Sequence, residues 1–151
     1  MGYDISTHKA TIWDKGTSPF SVSTREQIAK AVVKILHHPN KTANKAIYIS
    51  SFNTSMNEIL FSLEKATASK WEVEHLKTDE MIAEGQKMLS EGNFMGIGNL
   101  AKAINFSPGY GADFEGEGVL ENEMLGLEKE DLDEVVMRVV NEGNCGFPSE
   151  T

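Results

Sequence analysis

The sequence is short of cysteine, of basic charge and of long apolar runs, and each shortage removes a class of protein. Its one cysteine, Cys145, stands near the C-terminus. No disulfide framework and no cysteine-based zinc site is available from it, and a reducing compartment, the cytoplasm, is the expected setting. Lys and Arg total 14 against 23 Asp and Glu, a net charge of −9. A broad phosphate-binding face needs clustered cations, so nucleic acid is excluded as a partner. No apolar run approaches the ~20 residues of a membrane span. The first thirteen residues, MGYDISTHKATIW, contain no apolar signal region. The four histidines lack Cys or carboxylate partners at ligand spacing, which argues against a metal site.

What remains is material for one α/β domain. A 151-residue chain that is 40% hydrophobic can build a real core, although a domain of this size buries only about 70% of its unfolded surface. The stretch 45–68, KAIYISSFNTSMNEILFSLEKATA, organises the rest. Ala46–Ile49 is rich in strand-favouring residues, and Ser50 to Asn53 is a polar break. Met56, Ile59, Leu60 and Leu63 then recur at helical spacing. Ser55 and Glu58 stand as S-x-x-E, a capping box at the helix start. Leu60, in mid-stripe, is expected to be nearly fully buried.

Before this unit, Ala10–Trp13 reads as a short strand and Asp14-Lys15-Gly16 as a turn, followed by a loop over 17–22. Ser23 and Glu26 propose a second capping box for a helix over 24–37. Its apolar face is Ile28, Ala31, Val32, Ile35 and Leu36, and Pro39 stops it. After the unit, residues 71–76 alternate as an edge strand with one wet face. Thr78 is the expected cap of the next helix, with Gly85 a weak point inside it. A helix over 93–106 presents Phe94, Ile97, Leu100, Ala101 and Ile104. A glycine-rich loop covers 108–118. A last helix over 129–141 buries Val135, Val136, Val139 and Val140 and stops at Gly143. The tail 143–151 is expected to be loose.

Two motifs imitate functional sites. Gly96-Ile97-Gly98-Asn99-Leu100-Ala101 matches the G-x-G-x-x-A phosphate turn, but a real one follows a buried strand and this one follows Ser90-Glu91-Gly92-Asn93. Asp113, Glu115 and Glu117 imitate a calcium loop whose twelfth position, Met124, cannot ligate. The aromatics Phe94, Phe106 and Tyr110 flank one helix and the glycine loop. They are the candidate substrate-binding residues, suited to lining an apolar pocket and equally suited to a core.

The segment KATIWDKGTSPFSVSTREQIAKAVVKILHHP, followed by NKAIYISSFNTSMNEILFSLEKATASKWEVEHLKTDEMI, resembles the C-terminal part of NmrA-like proteins, including their fungal isoflavone-reductase-like branch. These are atypical short-chain dehydrogenase/reductases of the NAD(P)-binding Rossmann superfamily. The resemblance covers roughly residues 3–140. It implies a partial Rossmann-like α/β fold with few strands and about five helices, in which residues 1–142 form the substrate-side portion. The family's nucleotide-binding half, with its NADP(H) turn and its reductase lysine, is absent from this sequence. No catalytic or cofactor-binding residue carries over, and NADP(H) is implied only for full-length members. The region 93–114 corresponds to the cover of the substrate pocket, which singles out Phe94, Phe106 and Tyr110.

Two functions are consistent with the resemblance. One is the substrate-binding portion of an NAD(P)H-dependent reductase acting on a small aromatic molecule. The other is a non-enzymatic NmrA-like redox-sensing regulator or protein-interaction module. Either way Tyr48, Ile28 and Val32 are expected to be exposed, and self-association or a partner supplying the missing half is expected to cover them.

Overall fold

The computed structural model describes residues 2–107, 109 and 112–142. Cys145, Gly143 and the tail therefore lie outside the described residues. The strands are β1 (Tyr3–Asp4), β2 (Lys9–Trp13), β3 (Phe20–Val22), β4 (Phe52–Thr54) and β5 (Glu72–Leu76). The helices are α1 (Arg25–His37), α2 (Pro39–Thr42), α3 (Met56–Thr67), α4 (Thr78–Ser90), α5 (Gly96–Phe106), α6 (Asn122–Leu125) and α7 (Leu132–Glu142). The five longer helices are those the periodicity predicts, and the four-residue α2 and α6 are additional. The strands form two small sheets, β1-β2-β5 and β3-β4.

Strand β2 pairs in parallel with β5, from Lys9 opposite Glu72 to Trp13 opposite Leu76. A parallel pair requires a crossover, which here includes α1 and α3. Ala10 and Ile12 turn to the core with Phe20, Met56, Leu63, Trp71, Phe106 and Val136. Thr11 and Trp13 turn to the opposite face, by the two-residue period of a strand. The turn after β2 is as expected. Gly16 has φ +66°, and a Cβ there would collide with Asn57 and Ile12. Asp14 also does what Thr78 does not: it accepts hydrogen bonds from Thr78 N (3.1 Å) and Thr78 Oγ1 (2.5 Å), so α4 is capped from β2.

Several sequence expectations are corrected. Ala46–Ile49 is not a strand. Among the described residues it makes a single parallel bridge, Tyr48 with Leu120, and without a ladder partner strand propensity has nothing to pair with. The regular strand lies three residues later, as β4, against the supposed loop at β3. The "polar break" is the best-buried part of the unit: Ser50 and Ser51 are fully buried. The Asn122 side chain clasps the Ser50 backbone, its Oδ1 accepting from Ser50 N (3.0 Å) and its Nδ2 donating to Ser50 O (2.7 Å). Ser51 Oγ donates to Glu130 (2.5 Å), as does Thr24 Oγ1 (2.6 Å).

Cap and phase assignments shift by about one residue. Thr24, not Ser23, caps α1 by accepting from Gln27 N, while Ser23 Oγ donates to Ile49 O. The Ser55–Glu58 capping box of α3 forms as expected. Leu60, however, is only half-buried, because Met56, Ser62 and Leu63 occupy the centre of that face. On α1 the buried residues are Gln27 and Ala31, and on α7 Val139 is exposed. On α5 the buried residues are Gly96, Ala103 and Phe106, so Ile97, Ala101 and Ile104 face outward.

The reason for the α5 phase is a glycine crossing. A Cβ on Gly96 would fall inside contact distance of the Gly85 carbonyl oxygen, and one on Gly85 would lie 2.9 Å from the Gly96 carbonyl oxygen. Gly85 is therefore the contact point of α4 with α5 rather than a weak point. Gly96→Ala is expected to destabilise the fold by about 1–3 kcal/mol through overpacking. Gly98→Ala, with open space around it, should be neutral or stabilise by up to about 1 kcal/mol. Urea unfolding of the two variants checks the contrast.

Glu130 supplies a second test. Burial pushes its carboxyl up, but the hydroxyl hydrogen bonds from Ser51 and Thr24, together with the charges of Lys30 and Arg138, outweigh this and hold it below the usual glutamate range. A folded-state value below the unfolded one contributes stability that is complete above about pH 4.3 and is lost as pH falls through the depressed value. Unfolding midpoints measured from neutral to acid pH should therefore fall less steeply for Glu130→Gln than for the parent chain.

Candidate functional site

The site is built where β2 and β5 end. In open parallel sheets, ligands bind outside the carboxyl ends of the strands. Trp13 and Leu76 are paired at those ends. The last two turns of α5 arch over them, held by the Gly85–Gly96 crossing at one end and by Phe106 at the other. Phe106 packs edge-on to Phe20, with ring centroids 5.6 Å apart. Between helix and sheet lies a cavity of about 380 Å³ lined by Thr11, Trp13, Leu76, Lys102, Asn105 and Phe106, with Gly2 at its edge. Its size and its mixture of apolar surface with a few polar groups are those of small-molecule sites, roughly 300–1,000 Å³.

The frame beneath this cavity is tied together through Met56. The Met56 sulfur accepts from Trp13 N (3.4 Å), and Met56 O accepts from the Tyr3 hydroxyl (2.7 Å). Burial pushes the Tyr3 phenol up, so it stays protonated and a donor. A second cavity, about 490 Å³, lies on the other side of the α5 terminus and is lined by Asp14, Lys15, Thr17, Ser18, Thr78, Asp79 and Ser107. The Ser107 hydroxyl is buried there without a partner among the described residues.

Another concavity, of about 470 Å³, lies between α3 and α7. Two of its charged groups, Lys65 and Asp133, satisfy one another. Asp133 accepts from Lys65 Nζ and Ser62 Oγ, both at 2.6 Å. The Lys65 ammonium, then the Ser62 hydroxyl, holds the Asp133 carboxyl below its usual range.

The three aromatics singled out in the sequence are not brought together. Phe106 is 7% exposed and serves both the core and the first cavity. Phe94 is 77% exposed in the turn before α5. The eleven residues of α5 separate the two by about 15 Å. Tyr110 lies outside the described residues. Trp13, Lys102 and Asn105, which line the first cavity, carry no signal in the sequence: Trp13 reads as a strand residue, and the outward phase of α5 is set by its packing partner. The G-x-G-x-x-A glycines begin α5, with Gly96 packed on α4. Asp113 accepts from Asn53 Nδ2 and Gly116 N, both at 2.8 Å, and Glu115 pairs with Lys129. Among the described residues no group of three or more His, Cys, Asp or Glu could hold a metal ion. No described helix is long and apolar enough to cross a membrane.

No family model matches the chain. The chain is similar to two fungal oxidoreductases. It is 31% identical over 140 residues to Oxidoreductase aprR of Aspergillus flavus, covering 93% of this chain and 47% of that protein. It is 31% identical over 147 residues to Oxidoreductase poxI of Penicillium oxalicum, covering 93% and 45%. Among solved structures it matches a nucleoside-diphosphate-sugar epimerase from Staphylococcus aureus, with a TM-score of 0.60 at 20% identity, over 88% of this chain and 44% of that one. The fold is shared. It is mixed α/β, a partial Rossmann-like architecture. The chain spans about half the length of the relatives it matches.

Core and surface roles for the two described aromatics separate in one experiment. Phe106→Ala should cost about 3–5 kcal/mol, whereas Phe94→Ser should stay within about 0.5 kcal/mol of the parent. Chemical denaturation of both variants reads the difference.

Proposed function

We propose that this chain is the substrate-side portion of an NAD(P)H-dependent oxidoreductase acting on a small, ring-containing molecule. Similarity to two oxidoreductases along 93% of the chain is the observation that carries the reading. The cavity beside Trp13, at the carboxyl ends of the parallel strands, supports it as the place a substrate would occupy. In this reading the NmrA-like, isoflavone-reductase-like character noted in the sequence describes the whole protein. Residues 1–142 are its substrate-side unit, and the nucleotide cofactor is held by the half that the relatives have in addition.

The exposed apolar face of α1 fits the same reading. Ile28 is 48% exposed, Val32 51%, Leu36 72% and nearby Tyr48 42%. Ile28, Val32 and Tyr48 are residues expected from the sequence to lie open, Leu36 joins them, and exposed apolar surface of this kind marks an interaction site. A nucleotide-binding half docked here would bury that face and offer Ala46–Ile49 a strand to pair with.

The chain alone is expected not to bind NADPH. Its described residues contain no strand, glycine turn and helix in the order that gathers N–H groups at a pyrophosphate. Titration of the 151-residue chain followed by NADPH fluorescence should show no saturable binding. A chimera of Oxidoreductase aprR whose matching segment is replaced by residues 1–151 should bind the cofactor. Saturable micromolar binding by the chain alone would overturn this division of labour, and a folded chimera that fails to bind NADPH would overturn the reading itself.

A further inference from the structure

The cavity under α5 has a charge pattern that selects its occupant. Its floor is made by the rings of Trp13 and Phe106 and by Leu76. Its polar groups are Thr11, Lys102 and Asn105, and Lys102 is the single charged side chain of the lining. Lys102 pairs with no carboxylate among the described residues, and its side chain, like that of Asn105, is open to solvent at the mouth of the cavity. Asn105 follows Lys102 by three positions, so the two side chains lie on one face of α5, one turn apart. Asn105 gives one amide proton to Ala101 O (3.1 Å) and keeps its second N–H and its carbonyl oxygen for other partners.

We propose that this cavity binds a small aromatic carboxylate, with its ring against Trp13 and Phe106 and its carboxylate on Lys102 and Asn105. The inference rests on the substrate-side reading and adds to it the charge of the ligand. Two considerations favour a monoanion. A cation would meet the Lys102 ammonium at the mouth of the cavity. A carboxylate turns the contact into a charge-assisted hydrogen bond, roughly twice as strong as a neutral one. The chain as a whole carries −9 and repels anions at long range, so selection for an anion falls to this local contact. Thr11, on the same strand face as Trp13, offers a hydroxyl to a ring substituent.

The test uses trans-cinnamate as probe and cinnamyl alcohol as its uncharged counterpart, each titrated into the 151-residue chain by calorimetry with tryptophan fluorescence in parallel. Cinnamate is expected to saturate with a Kd at least tenfold below that of the alcohol, and to weaken as ionic strength rises. Lys102→Met should abolish the tenfold preference, and Lys102→Arg should keep it, with circular dichroism unchanged in both. Equal affinity for acid and alcohol, an unchanged cinnamate affinity in Lys102→Met, or no saturable binding of cinnamate would each overturn the proposal. None of these results touches the substrate-side reading, which is judged separately by cofactor binding in the chimera.

Discussion

The parallel pairing of Lys9–Trp13 with Glu72–Leu76 is the constraint on which the rest of the structure depends. Two parallel neighbours cannot be joined by a tight turn. The chain between them must therefore leave the sheet at Trp13, build a covering layer and return at the opposite end, beside Lys9. That excursion carries α1, β4 and α3, and α3 brings Met56 and Leu63 onto Ala10 and Ile12. The same pairing puts Trp13, Asp14 and Leu76 together at one end of the sheet. Asp14 then caps α4, and α4 positions α5 through the glycine crossing. The cavity exists because a helix fixed by its small residues on one side must bridge to a buried phenylalanine on the other.

A second set of contacts closes the chain on itself by polar means. Ser50 and Ser51 sit in the interior, where unpaired polar groups are costly. Asn122, more than seventy residues away in sequence, satisfies both backbone groups of Ser50. Glu130 gathers the hydroxyls of Ser51 and Thr24, and the Gln27 side chain donates to Glu128 O at 2.7 Å. Buried hydrogen-bond networks of this kind specify one arrangement, because a register slip would strand several groups at once. They hold the segment after α5 against the central unit, while the outer face of α1 stays exposed.

The legible features were those decided within one turn of chain. The Ser55–Glu58 capping box, the Asp-Lys-Gly turn and the existence of the five long helices all follow from contacts between near neighbours. The misjudged ones needed a partner. Ala46–Ile49 has strand-forming residues and no ladder among the described residues, whereas Phe20–Val22 and Phe52–Thr54 have each other. Phe106 stands out in the sequence as an aromatic, but the residues that share its cavity, Trp13 on β2 and Lys102 on α5, are almost ninety residues apart in sequence and share no local pattern.

By itself, then, the sequence determined the α/β class, the capping of the central helix, the turn at Gly16 and the similarity to oxidoreductases. Only the tertiary structure decided which way each helix faces and where the cavity lies. The physical reason is angular. A displacement of one residue along a helix turns the buried face by about 100°, and an apolar stripe on α5 or α1 contains several phases of nearly equal hydrophobicity. What selects among them is the shape of the opposing surface. At α5 that surface is the carbonyl oxygen of Gly85, which admits no Cβ on Gly96, and with the phase so fixed Lys102 and Asn105 line the same cavity as Trp13.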